Sequence, residues 1–149
     1  MTRTPRIRPI ALAVIRRGDQ LLLDTGFDSL KQEHFARTPG GGIEFGERAE
    51  EAVRREIREE YGLTLVDARL LGVLENIFVY EGEPGHEIVY VFEGRFAESW
   101  PYEHDTLPAE EGGRAYESVW MRPQDVLDRG WQLHPDGFPA LLGLRRTSV

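Results

Sequence analysis

Three glutamates, Glu56, Glu59 and Glu60, crowd one short stretch of this chain, two of them where apolar residues belong. The stretch reads as a helix, because Ala49, Ala52, Val53, Ile57 and Tyr61 recur at three- and four-residue steps and Gly62 follows as a C-terminal stop. At roughly 100° per residue, Glu47, Glu51, Arg54, Arg55 and Arg58 fall on the far side, which is expected to be solvated. Glu56 and Glu60 fall within about 60° of the apolar centre, and Glu59 lies on its flank. A buried carboxylate without a partner is costly, and like charges at i, i+3 and i+4 repel, so a cation is expected among them. Arg55 and Arg58 can supply part of it, and the plain alternative is a salt-bridged surface helix, although its charges would prefer the outer face. An oxygen-only donor set otherwise selects a hard divalent ion, Mg²⁺ or Mn²⁺.

The helix belongs to a longer pattern. Gly41, five residues, Glu47, seven residues, then Arg55-Glu56-Ile57-Arg58-Glu59-Glu60-Tyr61-Gly62-Leu63 resembles the Nudix box, G-x5-E-x7-R-E-U-x-E-E-x-G-U with U aliphatic, and every fixed position is met. Pro39-Gly40 and the Ile43-Glu44-Phe45-Gly46 filling are also similar to common sequences of that family. The resemblance implies an α/β (α+β) fold, a Nudix-type α/β/α sandwich with a mixed β-sheet. It implies hydrolysis of a nucleoside diphosphate linked to another moiety (nucleotide, nucleotide sugar, ADP-ribose or dinucleoside polyphosphate type) by attack of water at phosphorus. On this reading Glu56, Glu59 and Glu60 hold Mg²⁺ or Mn²⁺, the Gly41 carbonyl is a further metal ligand, and Arg55 orients the carboxylates through Glu47, Glu51 or Glu59. In that family a glutamate outside the box commonly serves as general base, at a position that varies. Glu111 is the leading candidate, set against a plain solvated loop, with Glu87 and Glu93 behind it. Three alternatives stay open: a Nudix enzyme acting on a non-nucleotide diphosphate; a silent nucleotide sensor, which has no need of three metal carboxylates; and a non-Nudix acidic protein, which metal-free folding without metal affinity would support.

The chain around the box is expected to form one Nudix hydrolase domain over residues 1–149. That length can bury a core without staples, and 40% hydrophobic with 30% charged residues is an ordinary globular composition. A net charge of −8 argues against general nucleic-acid binding and against an anionic membrane surface, so the expected partner is a small-molecule diphosphate reached through a metal bridge. A homodimer is compatible with this. The lack of cysteine excludes disulfides and thiolate chemistry and fits a cytoplasmic location. Arginines before the run Ile10–Ile15, with Ala11-Leu12-Ala13 after them, have a signal-peptide look. The run is short and ends in Arg16-Arg17, so it reads as a buried strand. No stretch approaches the length of a membrane span.

Gly18-Asp19 turns the first strand into a second, Gln20 to Asp24, and Thr25 to Arg37 shows no period and reads as a loop. Phe27 and Phe35 in that loop and Glu44 in the box are the candidate substrate contacts, although a phenylalanine is more often a core residue or loop anchor than a surface for a base. Thr38 stands before the proline where many relatives carry a larger apolar residue. Beyond the box, strands are expected on both sides of a break near Glu75-Asn76, then a turn over Glu81-Gly82-Glu83-Pro84-Gly85 with His86 beside it. His86 to Phe96 alternates Ile88, Tyr90, Phe92 and Phe96 with Val89 and Val91, a strand apolar on both faces. Ala97 to Glu117 reads as a mobile loop carrying Glu110-Glu111. A strand from Ala115 to Met121, a short helix to Arg129 and a last helix from Pro139 to Arg145 complete the expectation.

Overall fold

The computed structural model describes residues 4–144. Its strands and helices run in the order β1 (Arg8–Arg17), β2 (Gln20–Asp28), β3 (Glu33–Arg37), β4 (Gly40–Gly42), α1 (Ala49–Tyr61), β5 (Leu65–Tyr80), β6 (Glu83–Phe96), β7 (Thr106–Glu111), β8 (Arg114–Met121), α2 (Pro123–Asp128), β9 (Gln132–His134) and α3 (Phe138–Leu141). The sheet is mixed: β1 runs parallel to β6, β3 runs parallel to β9, and the other pairings are antiparallel. β1 supplies its centre because Ile10 to Ile15 is apolar on both faces and buried on both. Ala11, Ala13 and Ile15 point to a core shared with Ala52, Val53 and Ile57 of α1. Ile10, Leu12 and Val14 point to the opposite core, with Val126 and Leu127 of α2 and Phe138 of α3. Helices therefore cover both faces of a mixed sheet, as the expected sandwich requires. Among the described residues no helix is long and apolar enough to cross a membrane.

α1 starts and stops where the apolar period does. Gly62 takes a left-handed conformation at φ 69° and its N–H returns to the Arg58 carbonyl. Ahead of it, the glycines form a strand instead of a plain turn. Gly40 and Gly41 pair with Leu12 and Ala11 of β1, and a Cβ on Gly40 (φ 146°) would collide with the β1 backbone.

Several expectations are corrected. Thr25 to Arg37 is a hairpin: β2 continues to Asp28, and Phe27 faces His34 while Gly26 faces Phe35. Asp28 organises the short connection by accepting from the Leu30 and Lys31 N–H groups at 3.0 and 3.1 Å. β5 runs unbroken through Glu75-Asn76. Its irregularities lie between Val66 and Arg69 and between Leu70 and Gly72, while the Asn76 side chain is buried and satisfied by hydrogen bonds. The turn is tighter than expected, Glu81-Gly82 alone, both at positive φ. His86 lies on β6 opposite Ile77, not in a turn. The supposed loop Ala97 to Glu117 contains a 3-10 turn (Trp100–Glu103), all of β7 and the start of β8. α3 is a single turn from Phe138, and Arg145, the expected end of the last helix, lies outside the described residues.

Candidate active site

Glu60 is 5% exposed on the sheet-facing side of α1, beside the fully buried Val53 and Ile57. Among the described residues no cationic side chain bonds to it. The Tyr116 hydroxyl of β8 donates to Glu60 Oε2 at 3.3 Å. Burial pushes the Glu60 carboxyl up to about 9, with Asp24, Glu111 and Glu56 adding like-charge repulsion. Glu56 is raised too, chiefly by burial, although Arg55 opposes the shift. Glu59 is more open, its side chain 59% exposed.

Arg55 departs from its place on the supposedly solvated face. Its Nε and Nη2 reach the two Glu47 oxygens at 2.8 and 3.0 Å, Nη2 also reaches the Gly42 carbonyl at 2.8 Å, and Nη1 is shared between Glu56 (3.0 Å) and Glu59 (3.2 Å). One guanidinium thus ties the glycine strand to the acidic helix, a planar fork used in both directions. The bond from Arg55 pulls Glu47 below the usual carboxylate range, and Glu47 in turn accepts from the Glu44 N–H at 3.1 Å. Glu51 takes no part; it faces Arg48 at 3.9 Å. Gly41 lies directly against Glu56, where a Cβ would stand 2.5 Å from the carboxyl carbon. The absence of a side chain at Gly41 is what lets that carboxylate lie over the strand.

Two cavities meet here. The smaller, about 240 Å³, is lined by Glu56, Glu59, Glu60, Glu110, Glu111 and Gly112. The larger, about 660 Å³, runs from Asp24, Arg37, Glu111 and Tyr116 past Phe27 and Phe35 to Asn76, Phe78 and Glu87. Glu111 lines both. It stands at the end of β7, opposite Arg114 across the Gly112-Gly113 turn, so a hairpin and not a mobile loop presents it.

Glu93 is at neither cavity; it bonds Arg16 at 3.2 Å and Arg69 at 3.4 Å on the surface. Glu44 lines neither cavity and is mostly exposed, 3.8 Å from Arg55. Asp24 escaped the sequence reading. It accepts from Ser118 Oγ and, at 3.4 Å, from the Tyr61 hydroxyl, and burial raises its carboxyl. Its signal was a carboxylate directly following the buried run Leu21 to Leu23, and Tyr116 and Ser118 gave none because strand pairing alone brings them to α1.

Among the described residues no three His, Asp or Glu side chains already stand together in ligand geometry. The donor chemistry nevertheless fits a hard divalent cation. The small cavity is walled by carboxylates, and its most buried member is raised by burial and like charges that the more distant Arg37 only partly offsets, a field that a bound cation would relieve.

A family model described as NUDIX domain matches residues 6–141. The chain is 27% identical over 141 residues to a protein of Stutzerimonas stutzeri (strain A1501) named NAD-capped RNA hydrolase NudC, covering 92% of this chain and 40% of that protein. A protein of the same name from Chromobacterium violaceum is 30% identical over 145 residues, with 92% and 42% covered. The chain therefore spans about two fifths of the length of these curated relatives. Among solved structures, a NUDIX hydrolase from Nitrosomonas europaea superposes with a TM-score of 0.66 at 17% identity, over 93% of this chain and 87% of that one, a likeness of fold.

Proposed function

Because this chain belongs to the NUDIX family, we propose that it is a pyrophosphohydrolase that cleaves the diphosphate linkage of a nucleoside diphosphate joined to another moiety. The single observation that carries the reading is the position of Glu111, on the wall shared by the carboxylate cavity and the larger aromatic one. A diphosphate at that junction has its reacting phosphorus beside the carboxylates and its organic parts in the larger space.

Glu56, Glu59 and Glu60 would hold Mg²⁺ or Mn²⁺, with Gly41 as a further ligand. Such an ion supplies neutralisation of the diphosphate oxygens and acidification of water. Arg55 keeps Glu56 and Glu59 in place through its shared Nη1, anchored by Glu47 and the Gly42 carbonyl. Glu111 takes the proton from the attacking water, since the carboxylates that hold the cation have less basicity to offer. Arg37 and Arg114, both lining the larger cavity, offset the charge of the phosphates, which the acidic chain otherwise repels. Phe27 and Phe35 give the organic part apolar surface.

Within this class, the names of the two relatives favour a diphosphate flanked by two nucleosides, such as an NAD-type dinucleotide. Reaction of NADH, ADP-ribose, a nucleotide sugar, a dinucleoside polyphosphate and a nucleoside triphosphate with Mg²⁺ in ¹⁸O water tests it. Two phosphorylated fragments, or a monophosphate and pyrophosphate from the triphosphate, are expected, with ¹⁸O in one of them. Release of inorganic phosphate from a monoester, with no diphosphate cleaved, would refute it.

A further inference from the structure

Glu87 is 8% exposed and lines the larger cavity, on the β5–β6 ribbon away from the carboxylates of α1. Its strand partner serves one of its oxygens. Asn76 Nδ2 donates to Glu87 Oε1 at 3.1 Å, while Asn76 Oδ1 accepts from the Asp136 N–H at 3.1 Å, so the amide is locked with its nitrogen towards Glu87. Glu87 Oε2 takes no hydrogen bond from any described residue, although it is not sealed from the cavity. A carboxylate oxygen in such a place must find donors, and the diphosphate end of a substrate has none to give.

Two phenyl rings prepare a flat surface nearby. Gly26 lies under the ring of Phe35, and Gly85 under that of Phe78, each so closely that a Cβ would collide with the ring. Phe78 and Asn76 stand two apart on β5, opposite Gly85 and Glu87 on β6, so all four share one face of the ribbon. Phe78 and Glu87 thus line the larger cavity from the same face, two residues apart in register.

We propose that Glu87, oriented by Asn76, is the specificity-determining residue of the larger cavity and selects a nucleobase carrying an exocyclic amino group, which stacks on Phe78 and donates to Glu87 Oε2. The inference rests on the reading of this cavity as the substrate site. A base with an oxo group at the same place meets the carboxylate with a second acceptor, and a site built around a polar partner rejects such a mismatch strongly.

The test is calorimetric binding, with Mg²⁺ present, of the non-hydrolysable α,β-methylene analogues of ADP and IDP, then of CDP and UDP. The native protein is expected to bind the amino member of at least one pair about tenfold or more tightly. In Glu87→Gln the amide oxygen turns to Asn76 Nδ2 and the amide nitrogen faces the cavity, so the preference should vanish or invert. Equal affinity within both pairs, no binding of any analogue, or a preference that Glu87→Gln leaves unchanged overturns the inference. If Glu87→Gln does not fold, the native comparison alone decides. Hydrolysis of natural diphosphates is followed separately, so the pyrophosphohydrolase reading can stand while this one fails, or fail while the base preference stands.

Discussion

The Tyr116 hydroxyl donates to Glu60 Oε2 across 3.3 Å, joining β8 to the acidic face of α1 at the most buried of the box carboxylates. Tyr116→Phe removes that donor and little volume. The variant should lose about 1 kcal/mol of metal-free stability and bind Mn²⁺ severalfold more weakly, read by chemical denaturation and by Mn²⁺ titration. Unchanged Mn²⁺ affinity would show that the bond does not orient Glu60.

Glu60 also sets a pH dependence. Its carboxyl stands at about 9 in the metal-free fold against an ordinary 4.5, so between these values the folded state holds more protons than the unfolded chain. Metal-free stability should therefore fall as pH rises from about 4.5 to 9. Glu60→Gln should flatten that slope and be about 1–3 kcal/mol more stable than the native chain near pH 8. Denaturant midpoints at pH 5, 7 and 9 in EDTA check it; parallel slopes in both proteins would contradict it.

Arg55→Lys keeps the charge and loses the fork. One ammonium cannot serve Glu47, the Gly42 carbonyl and the Glu56–Glu59 pair together, so kcat should drop at least about tenfold, with a stability loss of about 1–3 kcal/mol. Full activity in Arg55→Lys would mean that charge alone suffices.

Gly41→Ala places a methyl group 2.5 Å from the Glu56 carboxyl carbon. The carboxylate must move, so Mn²⁺ affinity and turnover are expected to fall together, at a stability cost of about 1–3 kcal/mol. Native Mn²⁺ affinity in this variant would remove Glu56 from the metal site.

What the sequence made legible was local. The apolar period and Gly62 define α1, and the inward angle of Glu56 and Glu60 follows from the same wheel. The rest of the site depends on which strands pair. Asp24 meets Ser118 because β2 runs against β8, and Glu87 meets Asn76 through the register of β5 with β6. No short-range pattern encodes either. Phe78 went unnoticed for a related reason: a phenylalanine in an apolar strand reads as core until the glycine beneath its ring is known. A helical wheel puts Arg55 on the solvated face because it ignores the glycine strand packed beside it, and the polar stretch around Glu111 reads as a loop because Gly112-Gly113 hides a hairpin turn.

The shared wall of the two cavities makes Glu111→Gln the most direct test. Steady-state kinetics on the best diphosphate substrate at saturating Mg²⁺ should show kcat lowered at least about a hundredfold, with KM little changed and Mn²⁺ affinity retained. Turnover near the native value would contradict the account, and a collapse of kcat in Glu87→Gln instead would move the base to β6.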